Sequence, residues 1–257
     1  MLWPMRSVND SPARDISTPF IAVIPALNED RSIGAVLDEL LAAKPECIAI
    51  VVDDGSVDDT ACVAREHGAR VVRMPRNVGI GSAVQVGFRI AEREGIDCLV
   101  QIDADGQHDP AHLDAILDPV RRGEVNVASG SRYLDGGSFQ HALHRHLLIR
   151  AFANLITLVT GQTFTDTSSS FRAYDRQAIV FCADHYPQGF LETVESLVTI
   201  KRAGLTVREV PVVIRQRDAG TSSLSLGRTI VYTGKVVLAI AASLTRHKVA
   251  APQDSNR

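Results

Sequence analysis

Two aspartates that flank a small residue, in the segment Asp103-Ala104-Asp105, are the residues best suited to chemistry in this sequence. Carboxylates at this spacing can both face one hard divalent cation such as Mg²⁺ or Mn²⁺, which prefers oxygen ligands and is often shared with phosphate groups. The small Ala104 leaves room for a ligand to approach, and Gln107 extends the polar cluster. The alternative interpretation is a solvated acidic turn in which an aspartate caps a helix.

Other polar segments also follow apolar runs. Asn28-Glu29 comes after the run 20–25, and Asp53-Asp54-Gly55-Ser56 comes directly after the run 47–52. A carboxylate at the second place can accept hydrogen bonds from a nucleobase N–H or from ribose hydroxyls, although a tight turn that caps the next helix fits as well. The Gly-rich segment 77–82 opens a predicted helix, where its backbone N–H groups could bind an anion or form an ordinary turn.

Short apolar runs alternate with amphipathic segments over the first half of the chain, and these elements must position the polar clusters. The alternation predicts an α/β fold with a doubly wound, mostly parallel sheet flanked by helices. Ligands bind at the carboxyl ends of the strands in such sheets, so we expect the three acidic clusters to meet at one edge. Strands are predicted at 20–25, 47–52, 70–73, 98–102 and 125–129, and helices at 28–43, 60–67, 81–94 and 110–122.

The second half has a different pattern, with a helix at 141–160, a polar loop or short strand at 165–174, a helix at 190–203 and a strand at 206–214. The basic start of the first helix favours either an anionic membrane surface or a solvated face over packed apolar residues. A last apolar helix at 230–244 is too short to span a bilayer. It is predicted to contact a membrane surface or a second copy of the chain.

The composition of the chain argues against several classes of protein. The 257 residues carry a formal net charge of −3, which argues against a nucleic-acid partner. Four widely spaced cysteines without a CxxC pair indicate neither a disulfide framework nor a zinc site, and they fit a reducing cytosol. We therefore expect a cytoplasmic protein that can lie peripherally on the cytoplasmic face of the membrane. The predicted division is a disordered arm at 1–18, one domain at 19–225, the apolar helix at 226–246 and a disordered tail at 247–257.

Taken together, the motifs resemble those of family 2 glycosyltransferases, and within them the branch that contains dolichol-phosphate mannosyltransferases and polyprenyl-phosphate glycosyltransferases. The resemblance runs from about residue 20 to residue 222. Asp166 to Arg172 is similar to the D-x-x-S-G-F-R segment of that branch, with Ser170 in place of glycine. The other motifs, in the family's order, are Pro25-Ala26-Leu27-Asn28-Glu29, Val52-Asp53-Asp54-Gly55-Ser56, Asn77-Val78-Gly79, Asp103-Ala104-Asp105-Gly106-Gln107-His108 and Ser131-Arg132-Tyr133.

The resemblance implies a GT-A fold and a metal-dependent, inverting transfer of a hexose from a GDP- or UDP-linked sugar. It implies Mg²⁺ or Mn²⁺ bound by Asp103, Asp105 and Gln107, and phosphate contacts from Arg132 and Arg217. The donor site that it implies comprises Pro25, Leu27, Glu29, Val52, Asp54, Asn77 and Ala104.

The motifs leave the identity of the acceptor open. The branch usually carries a lysine where this chain has Ser223, and its loss weakens the case for a polyprenyl-phosphate acceptor. A hydroxyl acceptor, as in cell-surface polysaccharide synthesis, would need a carboxylate base, whereas a phosphate acceptor would not. Candidate bases are Asp166, Glu192 and Glu195. Polyprenyl phosphate is the leading hypothesis; a glycan acceptor and a non-catalytic nucleotide-sugar-binding module are the alternatives.

Overall fold

The computed structural model describes residues 19–134, 156–188, 192–215 and 251, and seven strands in these ranges form a single sheet. The strands are β1 (Phe20–Ala26), β2 (Cys47–Asp53), β3 (Arg70–Arg73), β4 (Cys98–Gln101), β5 (Val127–Ser131), β6 (Arg172–Asp175) and β7 (Val207–Pro211). The helices are α1 (Ile33–Ala43), α2 (Thr60–Glu66), α3 (Ile80–Arg93), α4 (Leu113–Arg121), α5 (Arg176–His185) and α6 (Glu192–Arg202).

The sheet has the strand order β3-β2-β1-β4-β6-β5-β7. β1 pairs in parallel with β2 and β4, and β5 pairs in parallel with β7. β6 runs antiparallel to both of its neighbours, β4 and β5. The expected α/β class and mostly parallel sheet are confirmed, while the antiparallel insertion of β6 is a finding of the structure alone.

Helices cover both faces of the sheet because successive side chains of each buried strand point to opposite faces. In β1, Ile21 and Val23 pack in the core layer that includes residues of α3, α5 and α6. Phe20, Ala22 and Ile24 pack in the opposite layer, with residues of α1 and α4. The two layers bury β1 completely and hold its carboxyl end in a fixed place.

Several predicted boundaries were wrong. The helix predicted at 28–43 begins at Ile33, because Asn28 has a φ of +56° and starts a turn. The helix predicted at 110–122 begins as a 3₁₀ turn, Pro110–His112, before α4, and the strand predicted at 125–129 lies at Val127–Ser131. The segment 165–174, predicted as a loop or short strand, is a loop up to Phe171 and forms β6 from Arg172 onward, whereas α5 was not predicted.

Several predictions fall outside the described residues. They concern the arm 1–18, the start of the helix predicted at 141–160, the apolar helix 226–246, most of the tail 247–257, and the residues Arg217 and Ser223. The domain boundaries therefore stay predictions. Among the described helices, none is long and apolar enough to cross a bilayer.

Candidate active site

The carboxyl ends of β2, β1 and β4 meet at one edge of the sheet. The three strands are neighbours in the order β2-β1-β4 and run in parallel. The turn after β1, the aspartates at the end of β2 and the segment Asp103-Ala104-Asp105 after β4 therefore share this edge. The predicted convergence of the acidic clusters follows from this pairing.

Hydrogen bonds join the turn after β1 to the turn after β2. The backbone N–H of Asn28 donates to Ser56 Oγ (2.9 Å), and the N–H of Val57 donates to Asn28 Oδ1 (2.9 Å). The N–H of Glu29 donates to Thr60 Oγ1 (2.8 Å). Asparagine tolerates the left-handed backbone of residue 28 better than most residues do. The three hydrogen bonds fix the two turns to each other.

The Asp54 carboxylate binds the Gly-rich loop that follows β3. Asp54 is 4% exposed, and its two oxygens accept hydrogen bonds from the N–H groups of Val78 (2.8 Å) and Gly79 (2.9 Å). The side chain of Asn77 also accepts from the N–H of Gly79 (3.1 Å). The sequence suggested that this loop could bind an anion, and in the structure the anion is the protein's own carboxylate.

The remaining residues of the expected donor site differ in accessibility. Val52 has no exposed surface and packs in the core, so its side chain lies beneath the edge rather than on it. Pro25 is buried within β1, whereas Leu27 is 38% exposed just beyond it. The Glu29 carboxylate is partly exposed and accepts a hydrogen bond from Ser32 Oγ (2.8 Å).

The two aspartates after β4 have different surroundings. Asp103 Oδ2 accepts a hydrogen bond from Ser170 Oγ (2.6 Å), while Asp103 Oδ1 is buried and has no hydrogen-bond partner among the described residues. Asp105 Oδ1 accepts from the backbone N–H of Gln107 (3.1 Å). Ala104 between them is buried, and Gln107 Nε2 donates to the carbonyl oxygen of Arg215 (3.3 Å).

The His108 ring contacts the backbone of Asp103. The backbone N–H of Asp103 donates to His108 Nδ1 (3.1 Å), so a neutral imidazole carries its proton on Nε2. The ring stacks on Phe171, with centroids 4.6 Å apart and planes 12° from parallel. The motif placed His108 near the aspartates, but its role as an internal hydrogen-bond acceptor is visible only in the structure.

Asp103 and Asp105 have the chemistry needed to bind a divalent cation. A buried carboxylate oxygen without a partner is costly, and a cation would compensate Asp103 Oδ1. The described residues contain no group of three or more His, Cys, Asp or Glu side chains that could hold a metal by themselves. Mg²⁺ is commonly bound by one or two carboxylates when substrate phosphates and water molecules complete its coordination shell.

Arg132 and Asp166 form a bidentate ion pair beyond the end of β5. Arg132 Nε lies 2.6 Å from Asp166 Oδ2, and Arg132 Nη2 lies 2.8 Å from Asp166 Oδ1. Burial would raise the pKa of the Asp166 carboxyl, but the hydrogen bonds and charge of Arg132 outweigh it and hold this pKa below its ordinary value. Asp166 is therefore a weak proton acceptor that fixes the guanidinium in place.

A buried polar cluster lies behind Asp103, at the start of α6. Glu192 is 2% exposed, and the Tyr186 hydroxyl lies within hydrogen-bond distance of Glu192 Oε2 and of Gln101 Oε1 (3.1 Å). Burial raises the pKa of Glu192. Sequence reasoning missed Tyr186 and Gln101, because neither belongs to a motif. Glu195, one turn further along α6, is partly exposed.

A cavity of about 850 Å³ opens beside Asp105, between α1 and the 3₁₀ turn. Its floor is apolar and includes Val36 and Leu113, and Glu29 and Asp105 lie on its wall. Arg215 also lines the cavity and forms ion pairs with Glu39 and Asp109. The cavity places free space next to the acidic edge.

In a mostly parallel α/β sheet, ligands bind at the carboxyl ends of the strands, and a pair of aspartates there suits a cation shared with the phosphates of a nucleotide. The comparison with protein families identifies the class of protein. The family model described as Glycosyl transferase family 2 matches residues 21–181. The chain belongs to this family and is a glycosyltransferase.

Several curated relatives are named for lipid-phosphate acceptors. A polyprenol monophosphomannose synthase from Mycolicibacterium smegmatis is 30% identical over 214 residues, which cover 80% of this chain and 80% of that protein. An undecaprenyl-phosphate mannosyltransferase from Micrococcus luteus is 30% identical over 80% of this chain and 88% of that protein. A dolichyl-phosphate hexose transferase from Haloferax volcanii is 31% identical, with coverages of 81% and 91%.

The fold also has solved counterparts. Glucosyl-3-phosphoglycerate synthase from Mycobacterium tuberculosis, crystallised with Mn²⁺, UDP and glucosyl-3-phosphoglycerate, superposes with a TM-score of 0.68 at 21% identity. The match covers 95% of this chain and 86% of that chain. At this identity the likeness establishes the shared GT-A architecture and nothing about the substrates.

Proposed function

We propose that this glycosyltransferase moves a hexose, with inversion, from a UDP- or GDP-linked sugar to a polyprenyl phosphate. The observation that carries the proposal is the pair Asp103 and Asp105 at the carboxyl end of β4, where Asp103 Oδ1 is buried without a partner. The names of two relatives, which align with this chain over 80% and 88% of their own length, support the lipid-phosphate acceptor.

Asp103 and Asp105, with Gln107, would hold Mg²⁺ or Mn²⁺, which when bound neutralises the charge that develops on the departing diphosphate. Arg132, oriented by Asp166, would contact the donor or acceptor phosphate, as would Arg217, which lies outside the described residues. In the donor site we propose side-chain contacts from Leu27 and Glu29, which are accessible. The other proposed members of the donor site are Pro25, Asp54, Asn77 and Ala104, with Val52 as a buried residue that packs beneath them.

The surroundings of the candidate bases favour a phosphate acceptor over a hydroxyl acceptor. Asp166 is engaged by Arg132, and Glu192 is buried against Tyr186. A phosphate oxygen is already an anionic nucleophile, so it attacks the anomeric carbon without giving up a proton. A hydroxyl acceptor would depend on Glu195, which is partly exposed on α6.

The first test is a transfer assay with purified protein, undecaprenyl phosphate in detergent and radiolabelled UDP-glucose or GDP-mannose, with Mn²⁺ or with EDTA. We expect labelled lipid with one donor and none with EDTA. Asp105→Ala should abolish transfer and leave the thermal unfolding midpoint unchanged, whereas Asp118→Ala, on the exposed side of α4, should transfer normally. Transfer by Asp105→Ala at the wild-type rate would refute the metal site.

Two partner contacts belong to the same proposal. A lipid acceptor requires the protein to reach a membrane surface, and the segments at 141–150 and 226–246 are the predicted contacts. Co-sedimentation with phosphatidylglycerol vesicles tests this; protein that stays entirely in the supernatant would count against it. A homodimer remains a prediction, to be checked by light scattering.

A further inference from the structure

Ser170 lies beside the Asp103 carboxylate, where the polar segment after residue 165 approaches β6. We infer that Ser170 is a positioning residue for the metal site, whose hydroxyl holds the Asp103 carboxylate in the orientation that binds the cation. The inference rests on the proposed metal-binding role of Asp103.

The contact between the two side chains is short and direct. Ser170 is 7% exposed, and its Oγ donates to Asp103 Oδ2 at 2.6 Å, the length of a charge-assisted hydrogen bond. His108 Nε2 lies 3.6 Å from the same oxygen, which is too long for a hydrogen bond. Among the described residues, Ser170 is thus the one whose side chain donates a hydrogen bond to this carboxylate.

The sheet register explains why Ser170 reaches Asp103. In the antiparallel pair of β4 and β6, Cys98 lies opposite Asp175 and Gln101 lies opposite Arg172. The same register, continued two residues past Gln101 and two residues before Arg172, brings Asp103 opposite Ser170. Side chains opposite each other across antiparallel strands are close enough to interact.

Neighbouring contacts hold Ser170 and Asp103 in this arrangement. Phe171, next to Ser170, stacks on the His108 ring, and His108 Nδ1 accepts the backbone N–H of Asp103. Arg172 is fully buried and donates to Ser196 Oγ (2.8 Å). The Ser170 hydroxyl therefore belongs to a segment that is held by two contacts, Phe171 with His108 and Arg172 with α6.

A fixed carboxylate matters because the terminal torsion of an aspartate is broad and roughly two-fold. With Oδ2 bound by Ser170, the carboxylate keeps one orientation and Oδ1 stays without a hydrogen bond. Without the hydroxyl, the cation would have to order the carboxylate itself. Loss of such a supporting contact typically lowers metal affinity by about 10- to 100-fold.

The adjacent Ser169 provides a matched control. It is 3% exposed, and its Oγ has no hydrogen-bond partner among the described residues. Ser169→Ala therefore removes a buried hydroxyl from the same segment without removing a contact to Asp103. Ser170→Thr keeps a hydroxyl at the position, and Ser170→Gly restores the residue of the D-x-x-S-G-F-R pattern.

The experiment measures Mn²⁺ affinity by electron paramagnetic resonance of the free ion, in the presence of saturating UDP or GDP. Nucleotide affinity without metal and the thermal midpoint are measured beside it. We expect Ser170→Ala and Ser170→Gly to bind Mn²⁺ about 10- to 100-fold more weakly. Ser169→Ala and Ser170→Thr should match the wild type, and metal-free nucleotide binding should be unchanged in all four.

The outcomes separate the two proposals. A wild-type protein that binds no Mn²⁺ with either nucleotide overturns the metal site and this inference together. A wild type that binds Mn²⁺, with Ser170→Ala and Ser170→Gly equally tight, overturns the inference alone. An equal loss in Ser169→Ala overturns it as well, since the effect would then come from packing of the segment. If Ser170→Ala does not fold, Ser170→Gly decides in its place.

Discussion

Replacing Asp166 by asparagine tests whether the ion pair with Arg132 is part of the scaffold of the site. The carboxylate is 1% exposed and accepts two hydrogen bonds from the guanidinium, whose side chain is 25% exposed. Breaking a fully buried pair costs about 3–5 kcal/mol. Because Arg132 keeps some contact with water and asparagine retains one acceptor oxygen, we expect Asp166→Asn to lower the free energy of unfolding by about 2–3 kcal/mol.

Asp118→Asn is the matched control, because Asp118 pairs with Arg122 on the surface of α4. Its carboxylate lies 2.6 Å from Arg122 Nη2, and the two side chains are 28% and 57% exposed. Exposed pairs of this kind contribute about 0.3–0.5 kcal/mol. Urea unfolding of both variants at pH 7 therefore compares the same chemical change in two environments.

The pH dependence gives a second, independent check. The pKa of Asp166 in the folded protein lies below its ordinary value of 3.8. A depressed carboxyl pKa stabilises the fold fully above the unfolded value, and this contribution is lost as the pH falls through the folded value. The stability difference between wild type and Asp166→Asn should thus be constant above about pH 5 and shrink below pH 3.8.

Activity should fall with stability at this site, because a misplaced Arg132 would lose its proposed contact with a substrate phosphate. We expect a drop of about 10- to 100-fold in kcat/KM for Asp166→Asn, and Arg132→Lys should be similarly impaired, since lysine cannot form the bidentate contact. An Asp166→Asn protein within about 0.5 kcal/mol of wild type, with normal transfer, would refute the reasoning.

Three further predictions follow from other contacts. Asp54→Asn should lose an acceptor for the N–H groups of Val78 and Gly79, which should lower the free energy of unfolding by about 1–3 kcal/mol. It should also weaken the binding of UDP or GDP measured by calorimetry. Unchanged binding would mean that the loop does not shape the donor site. Gly87→Ala should destabilise the protein by about 1–3 kcal/mol in urea unfolding, because a Cβ there would lie 2.4 Å from the side chain of Val23. A thiol reagent at pH 8 should label one cysteine in the native protein, the exposed Cys62, and Cys62→Ser should abolish this labelling. The other three thiols are buried. Burial raises the pKa of Cys47 and of Cys98 to about 12, and it raises the pKa of Cys182 as well. Fast labelling of more than one thiol would therefore contradict the packing.

Much of the first half of the fold could be predicted from local patterns. β1 and β2 are uninterrupted apolar runs followed by polar turns, which is typical of buried parallel strands. The second half was harder because its strands are short and polar. β6 contains Arg172 and Asp175, and nothing in its composition shows that it inserts antiparallel between β4 and β5.

That acidic residues follow three strands could be inferred from the chain alone, and the alternation of strands and helices predicted that these residues meet at one edge of the sheet. The hydrogen-bond partner of each carboxylate, in contrast, is visible only in the folded protein. Asp54 binds the loop of Val78 and Gly79, and Asp103 accepts from Ser170, 67 residues away. Such pairings depend on strand register and on contacts between distant segments, and neither leaves a local pattern in the chain.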